Sequence, residues 1–150
     1  MSNRSEIIRA DLQHIDILTP LFNGYRQFYG QVSDPDPCRE FLTARLKNEQ
    51  SVILLAQTGE VASGFTQLYP AFSSVSMRST WILNDLFVAP DFRRTGVGRQ
   101  LVLAATEFAR ETNAARLLLC TEVNNAAAQQ LYEQLGWAKD GAFHYYKYQL

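Results

Sequence analysis

The chain has 150 residues, which is enough for one domain with a buried core and too few for two ordinary ones. Its formal net charge of −1 gives no general affinity for polyanions, so no nucleic acid partner is expected. The N-terminus lacks the apolar core of a signal peptide and no apolar run reaches membrane-spanning length, which predicts a cytoplasmic protein with no membrane partner.

The first half of the chain is predicted to alternate strands and helices. Apolar patterning predicts a strand at 7–10, helices at 14–29 and 38–48, and strands at 51–57 and 61–69. Within the first helix, Thr19-Pro20 and Gly24 predict a kink or a break. Asp36-Pro37 is typical of the start of the second helix, and Thr58-Gly59-Glu60 is typical of a hairpin turn.

The second half begins with a serine-rich connection at 70–78, followed by a mostly apolar strand from Trp81 to Val88. Only Asn84 and Asp85 are polar in that strand, and Pro90 ends it. A helix is predicted next, because apolar residues recur at helical spacing at Leu101, Val102, Ala105, Phe108 and Ala109. Beyond it we expect a buried strand at 115–123, a further helix, and one or two closing strands within 139–149.

A basic, glycine-containing loop lies between the strand and the helix that follows it. Its residues are Arg93, Arg94, Thr95, Gly96, Val97, Gly98 and Arg99. Glycines at a helix start let backbone N–H groups approach a ligand closely, and the helix dipole there favours an anion. The arginines add forked donors for phosphate oxygens, so the loop predicts a pyrophosphate site. The Walker loop is absent, and Leu101 stands where the third Rossmann glycine would fall.

A second strand-to-helix segment follows at 115–137. Ala128, Leu131 and Leu135 share one face of its helix, Asn124 or Asn125 is suited to be the N-cap, and Gly136 stands where a left-handed C-terminal cap is expected.

The two segments together resemble the GCN5-related N-acetyltransferases, which bind acetyl-CoA. The loop matches that family's Arg/Gln-x-x-Gly-x-Gly/Ala motif, and the second segment matches its Asn-x-x-Ala-x-x-Leu-Tyr-x-x-x-Gly-Phe motif, with Trp137 in place of Phe. The motifs lie in the family's order and about 25 residues apart, as a βαβ unit requires. The resemblance extends from about Glu6 to the C-terminus and is specific between Trp81 and Trp137.

The resemblance implies one N-acetyltransferase domain over residues 5–150 with the acyl-CoA N-acyltransferase fold. That fold is α/β (α+β-like), with a central mixed, mostly antiparallel sheet of six to seven strands and about four helices. It implies acetyl-CoA as cosubstrate, held by residues 93–99 and by Asn124, which matches the residue that contacts pantetheine. It also implies that a backbone N–H of Phe87 or Val88 stabilises the thioester oxyanion.

Tyr132 matches the family's general acid. A thiol has a pKa near 8.5 and a phenol near 10, so a neutral tyrosine can protonate the departing thiolate. Tyr132 could instead be a core aromatic of an amphipathic helix, and Asn124 could be a plain N-cap.

The general base is harder to assign. Asp85 and Glu122 lie on two predicted central strands, where an unpaired carboxylate is costly. A catalytic role explains them, and a buried ion pair or a water-filled cleft explains them equally well. The chain resembles the polyamine acetyltransferases more closely than most of the family, but Asn84 replaces a glutamate of that group's Leu-Glu-Asp-Phe-Phe-Val stretch. A base acting through water from Asp85 or Glu122 is therefore expected.

The acceptor pocket of the family is lined by the loop between the first two helices and by the region after the third strand. Here these parts of the chain offer Tyr25, Tyr29, Asp34 and Asp36, together with the stretch from Tyr69 to Ser74. Aromatic and acidic side chains suit a cationic amine, although turn and cap roles explain the two aspartates as well.

No metal site is expected, because His14 and His144 are isolated. The two cysteines, Cys38 and Cys120, indicate neither a disulfide framework nor a zinc site, and Cys120 is expected to be buried.

The predicted function is acetyl-CoA-dependent N-acetylation of a primary amine of a small molecule. The alternatives are a non-catalytic acyl-CoA-binding module of the same fold, an acetyltransferase acting on a protein amine, and an unrelated nucleotide-binding domain. A homodimer is predicted, because the C-terminal aromatic residues exceed what one sheet face covers: Phe143, Tyr145, Tyr146 and Tyr148.

Overall fold

The computed structural model describes residues 4–150, which fall into two units: one ends at Cys120 and the other runs from Thr121 to Leu150. The first unit contains β1 (Glu6–Arg9), α1 (Ile15–Phe28), α2 (Pro35–Lys47), β2 (Val52–Thr58), β3 (Val61–Ser73), β4 (Arg78–Val88), α3 (Val97–Glu111) and β5 (Leu117–Leu118). The second unit contains α4 (Ala126–Gln134).

The strands form one mixed sheet in the order β1-β2-β3-β4-β5. Each of the first four is antiparallel to the next, and β5 runs parallel to β4. The predicted α/β architecture, the mostly antiparallel sheet and the four helices are confirmed. The predicted count of six to seven strands is wrong, because residues 4–150 contain five.

The difference in strand count lies at the C-terminal end of the chain. Of the predicted strand at 115–123 only Leu117–Leu118 pairs, and residues 139–149 adopt no strand. A strand exists only where its backbone groups find a ladder partner, and alternating aromatic residues alone do not supply one. Because the strand stops at Leu118, Cys120 is exposed and its predicted burial is wrong.

The helix α1 is continuous through Pro20 and Gly24, so the predicted break is absent. Its apolar face, which includes Leu18 and Phe22, packs into the core, and this burial offsets the hydrogen bond that Pro20 cannot make. Gly24 leaves room for Phe87, because a Cβ at this position would make a tight contact of 3.2 Å with the Phe87 ring.

Two other boundaries differ from prediction. The helix α2 begins at Pro35 with Asp34 as its N-cap residue, before the predicted Asp36-Pro37 start. The strands β3 and β4 extend through most of the predicted connection at 70–78, and a tight turn remains at 74–77. The hairpin turn at Gly59 is confirmed, with a φ of 66°.

Helices cover both faces of the sheet. Ile53 and Leu55 of β2 join the core beneath α1 and α2, so the alternate residues of this strand face the other side. On that other side α3 lies close to β3, where a Cβ on Gly64 would come within 3.2 Å of Val97 and 3.3 Å of Leu101. Because both faces are covered, all residues from Val52 to Ala56 are buried.

Candidate active site

A β-bulge in β4 separates the two polar residues of this strand. Gln67 of β3 pairs with Asp85, and its neighbour Leu68 pairs with Leu83, which leaves Asn84 without a partner on β3. A bulge of this kind adds one residue to one strand and redirects the side chains that follow. As a result Asn84 is exposed and Asp85 is buried, with 2% of its surface accessible.

The carboxylate of Asp85 is held by three neighbours. Gln67 Nε2 donates to Oδ2 at 2.5 Å, and Asn84 Nδ2 donates to Oδ1 at 2.7 Å. The Tyr25 hydroxyl, which lies 3.4 Å from the carbonyl oxygen of Asn84, also hydrogen-bonds to the carboxylate. Burial raises the pKa of the Asp85 carboxyl, and the three donors oppose that shift.

Gln67 is a site residue that the sequence analysis missed. Its side chain is fully buried, and Oε1 has no hydrogen-bond partner among the described residues. The available signal was a large amide between Phe65 and Leu68 of a predicted strand, because such a group needs a hydrogen-bond partner when it is buried.

Two tyrosines share the electrostatic environment of Asp85. Burial, followed by the charge of Asp85, raises the pKa of Tyr25 well above its usual range. The same two causes raise the pKa of Tyr69 to about 12, with Arg45 opposing them. Both hydroxyls therefore stay protonated at neutral pH and can serve as hydrogen-bond donors.

Asp85 lies at the base of a cavity of about 410 Å³ between α1, α2 and the sheet. Of the predicted acceptor residues, Tyr25 and Asp34 line it, and so does Tyr69. Tyr29 packs edge-on against Tyr25, with ring centroids 5.0 Å apart, and Asp36 is exposed in the first turn of α2. Neither Tyr29 nor Asp36 belongs to the lining.

Beyond Ile82, the edge of β4 that faces away from β3 has no strand partner among the described residues. β5 pairs only with Trp81 and Ile82, and no other described strand pairs with that edge as far as Val88. The next N–H, of Ala89, donates to Ser63 on β3 at 2.8 Å. Because successive N–H groups of a strand point to opposite edges, the Val88 N–H faces the open edge and that of Phe87 faces β3.

The loop after β4 presents the start of α3 without a side-chain cap. Gly96 is the N-cap residue and has a φ of 90°, a left-handed conformation that favours glycine. Arg94 shares the left-handed region, with a φ of 62°. Uncapped N–H groups at the positive end of a helix dipole are suited to bind an anion.

The side chains of this loop differ in whether they are free to contact a ligand. Arg94, Thr95 and Arg99 are exposed, whereas Val97 is buried and offers only its backbone. Arg93 turns back to β4: its Nε donates to the Val88 carbonyl at 3.1 Å, and its guanidinium lies over the rings of Phe28 and Phe87. Arg93 therefore braces the loop against the strand.

In the second unit, Asn125 is the N-cap of α4, and its Oδ1 accepts from the Ala128 N–H at 3.2 Å. This resolves the choice between the two asparagines, and it leaves the neighbouring Asn124 exposed. Gln129 Nε2 donates to the carbonyls of Glu122 and Val123 and so fixes the turn before the helix. Glu122 is exposed and lies outside any strand, so its predicted burial is wrong.

Tyr132 lies on α4 and is 9% exposed. Gly136 follows the helix in the predicted left-handed conformation, with a φ of 91°, and the Trp137 N–H donates to the Tyr132 carbonyl at 3.0 Å. This closing arrangement brings the Trp137 ring to 5.8 Å from the Tyr132 ring, between centroids.

Among residues 4–150 no three potential metal-ligating side chains cluster together. Within the same residues, no helix is both long enough and apolar enough to cross a bilayer.

Comparison with known proteins identifies the family. A family model described as the acetyltransferase (GNAT) family matches residues 18–137. An uncharacterized N-acetyltransferase of Bacillus subtilis, YhfO, is 50% identical over 129 residues, which cover 86% of this chain and 87% of that protein. A probable acetyltransferase of Haemophilus influenzae is 34% identical over 114 residues, 75% of this chain and 78% of the relative.

Solved structures are consistent with these matches. A crystal structure of a probable acetyltransferase is 45% identical, with a TM-score of 0.92 over 97% of each chain. An aminoglycoside N-acetyltransferase, AAC(6')-Iy, solved in complex with CoA, is 19% identical with a TM-score of 0.80 over 98% of this chain and 96% of that one, and it shares the fold. The chain therefore belongs to the acetyltransferase (GNAT) family: it is an N-acetyltransferase with the acyl-CoA N-acyltransferase fold.

Proposed function

We propose that the protein transfers an acetyl group from acetyl-CoA to a primary amine of a small molecule. The observation that carries this proposal is the arrangement along β4. This strand lines the cavity at Asp85 and has an unpaired edge towards Val88, and the loop that follows it ends at the uncapped start of α3. A cavity of about 410 Å³ has the size of a small-molecule site.

The cosubstrate is proposed to follow β4 and the loop after it. The exposed Arg94, Thr95 and Arg99 and the backbone N–H groups from Gly96 to Gly98 would hold the pyrophosphate. Pantetheine would add to the open edge of β4 as a pseudo-strand and contact Asn124. The Val88 N–H, which faces that edge, would then donate to the thioester oxygen as it becomes an oxyanion.

The amine must lose a proton before or during attack. We assign this proton to Asp85, directly or through water, because its raised pKa makes it a better base than an ordinary carboxylate. Tyr25 links the carboxylate to the cavity, since it contacts Asp85 and lines the same space. Glu122 remains the alternative base.

The thiolate of CoA must gain a proton as it leaves. Tyr132 is proposed as the donor, supported by its place in the Asn-x-x-Ala-x-x-Leu-Tyr segment that begins at Asn125. The net reaction forms the amide C–N bond, breaks the thioester C–S bond, and transfers one proton from the amine side to the sulfur.

Likeness to the polyamine-type enzymes remains part of the proposal. It is supported by the stretch Leu83 to Val88, in which the aspartate is kept and Asn84 replaces the glutamate. In the structure Asn84 has a role of its own, because it donates to Asp85, where a glutamate would repel it. We therefore expect an acceptor that differs from an unmodified polyamine.

The test of the proposed function is release of free CoA thiol from acetyl-CoA in the presence of primary amines. We expect amine-dependent release together with a mass increase of one acetyl group on the amine. Binding of acetyl-CoA without turnover of any amine would support the non-catalytic module instead. Transfer to peptide amines alone would support the protein acceptor.

Replacing Asp85 by asparagine is expected to separate stability from activity. Between the ordinary carboxyl pKa and the raised pKa of Asp85, the unfolded chain has lost its proton and the folded chain retains it. The free energy of unfolding of the wild type therefore falls as pH rises through that window. Asp85→Asn removes this fall, and rotation of the Gln67 amide brings its unpartnered Oε1 to the new NH₂ group.

We expect Asp85→Asn to be at least as stable as the wild type at pH 7, with turnover lowered about 100-fold or more. Urea denaturation at pH 4 and pH 7 and thiol release measure the two effects. Asp36→Asn, at an exposed position outside the cavity, is the matched control. Unchanged turnover in Asp85→Asn would exclude Asp85 as the base.

A cytoplasmic homodimer is proposed as the working state. The supporting observation is that Phe143, Tyr145, Tyr146 and Tyr148 are each at least 81% exposed. Light scattering at micromolar concentration is expected to give twice the chain mass of 17.0 kDa. A monomer mass at that concentration would contradict this prediction.

A further inference from the structure

Arg26 is a cation that lines the acceptor cavity. It lies in the last turn of α1, is half-buried and lines the cavity that contains Asp85. Its guanidinium makes no ion pair or side-chain hydrogen bond with any residue in the range 4–150. By comparison, Arg39 pairs with Asp16 at 2.6 Å, and Arg45 lies over the Phe41 ring at 4.5 Å.

Asp34 contributes an unpaired anion to the same cavity. It is exposed and precedes α2, yet its carboxylate does not cap that helix and pairs with no cation of the described chain. The backbone of Asp34 is fixed, because its N–H donates to Asn23 Oδ1 at 2.9 Å. Asn23 also donates to Ser33 Oγ at 3.0 Å, so the loop that carries Asp34 is tied to α1.

The charged side chains that line the cavity therefore differ both in sign and in how deeply they are buried. Asp85 is buried at its base, Arg26 is half-buried, and Asp34 is exposed. Arg26 and Asp34 face one cavity without pairing with each other, which leaves donors and acceptors of both signs for a ligand. A guanidinium is suited to bind a carboxylate through two parallel hydrogen bonds, and a carboxylate is suited to bind an ammonium group.

We propose that the acceptor amine belongs to a molecule with an α-amino acid head group: Arg26 binds its carboxylate, Asp34 binds its α-ammonium, and a second amine reaches Asp85. This inference rests on the proposed function, because Asp85 receives the amine that is acetylated. A diamine without the carboxylate is disfavoured, since it would bring further positive charge into the cavity and leave the guanidinium of Arg26 without an anionic partner.

The experiment compares diamino acids with their decarboxylated counterparts as ligands of the CoA-bound protein. Calorimetry measures the affinity for L-lysine and L-ornithine and for cadaverine and putrescine. We expect each diamino acid to bind at least about 10-fold more tightly than its diamine. Arg26→Gln should weaken diamino acid binding about 10- to 100-fold and leave diamine binding equal or stronger. Asp34→Asn should also weaken diamino acid binding.

Arg39→Gln is the matched control, because Arg39 is exposed and its pairing with Asp16 does not involve the cavity. Three results would each overturn the inference. They are equal affinity for diamino acid and diamine, an equal effect of Arg26→Gln on both, and no binding of either diamino acid.

Thiol release separates this inference from the proposed function. Selective binding of diamino acids without thiol release would leave the Arg26 site standing and contradict the transferase reaction. Turnover of diamino acids that Arg26→Gln leaves unchanged would keep the transferase reaction and overturn the Arg26 site.

Discussion

Tyr132→Phe is expected to lower turnover by about 10²- to 10⁴-fold, the range typical of the loss of a general acid. The substitution removes one hydroxyl and keeps the ring that packs 5.8 Å from Trp137, so the fold and the affinity for acetyl-CoA should be preserved. The loss should be seen in kcat rather than in KM, because the proton is delivered only as the sulfur departs.

The leaving group provides an internal check on Tyr132→Phe. A donor whose thiol has a lower pKa needs less help from an acid, so the defect should shrink with such a donor. Tyr145→Phe, which removes the same hydroxyl from a side chain that is 84% exposed, is the matched control. Near-normal kcat in Tyr132→Phe with saturating amine would make Tyr132 a packing residue and leave protonation of the thiolate to solvent.

Gly96→Asp is expected to abolish useful affinity for acetyl-CoA, with a loss of about 100-fold or more. The substitution places a negative charge at the start of α3, where the pyrophosphate is proposed to bind, and like charges at such a contact cost several kcal/mol. A Cβ at Gly96 meets no atom within 4 Å, so the fold should tolerate the side chain. Its φ of 90° adds a strain of about 1 to 2 kcal/mol.

Two controls separate charge from strain in Gly96→Asp. Gly96→Ala has the same strained backbone without the charge and should retain most of the affinity. Gly59→Asp places the same side chain at another open left-handed position, in the turn between β2 and β3, and should lose stability without losing affinity. Calorimetry with acetyl-CoA and thermal unfolding measure the two quantities. Unchanged affinity in Gly96→Asp would show that the pyrophosphate binds elsewhere.

The elements that carry strong local signals could be predicted from the sequence. The loop from Arg93 to Arg99 combines a proline-ended strand, a left-handed glycine and a helical apolar pattern, and each of these depends on residues a few positions apart. The same is true of α4, where the N-cap and Gly136 fix both ends of the helix. Local chemistry also supported the family assignment, because both motifs are local segments.

The strand count and the environment of Glu122 depended on distant pairing partners. The apolar run at 115–123 satisfies strand propensity throughout, yet only Leu117 and Leu118 pair with β4. An isolated strand leaves its backbone groups without ladder partners, so propensity by itself does not decide where pairing ends. For this reason Glu122 was wrongly predicted to be buried.

By itself, the sequence determined the family, the presence of four helices, the basic glycine loop before α3 and the residue types available for catalysis, because these follow from residues a few positions apart. Only the tertiary structure decided what surrounds Asp85: the bulge at Asn84, the buried amide of Gln67 and the hydroxyl of Tyr25. It also decided that the Val88 N–H faces the open edge. The physical reason is that register, bulges and burial arise from the packing of segments far apart in the chain. A single residue added to β4 therefore changes which side chains face the cavity and which face solvent.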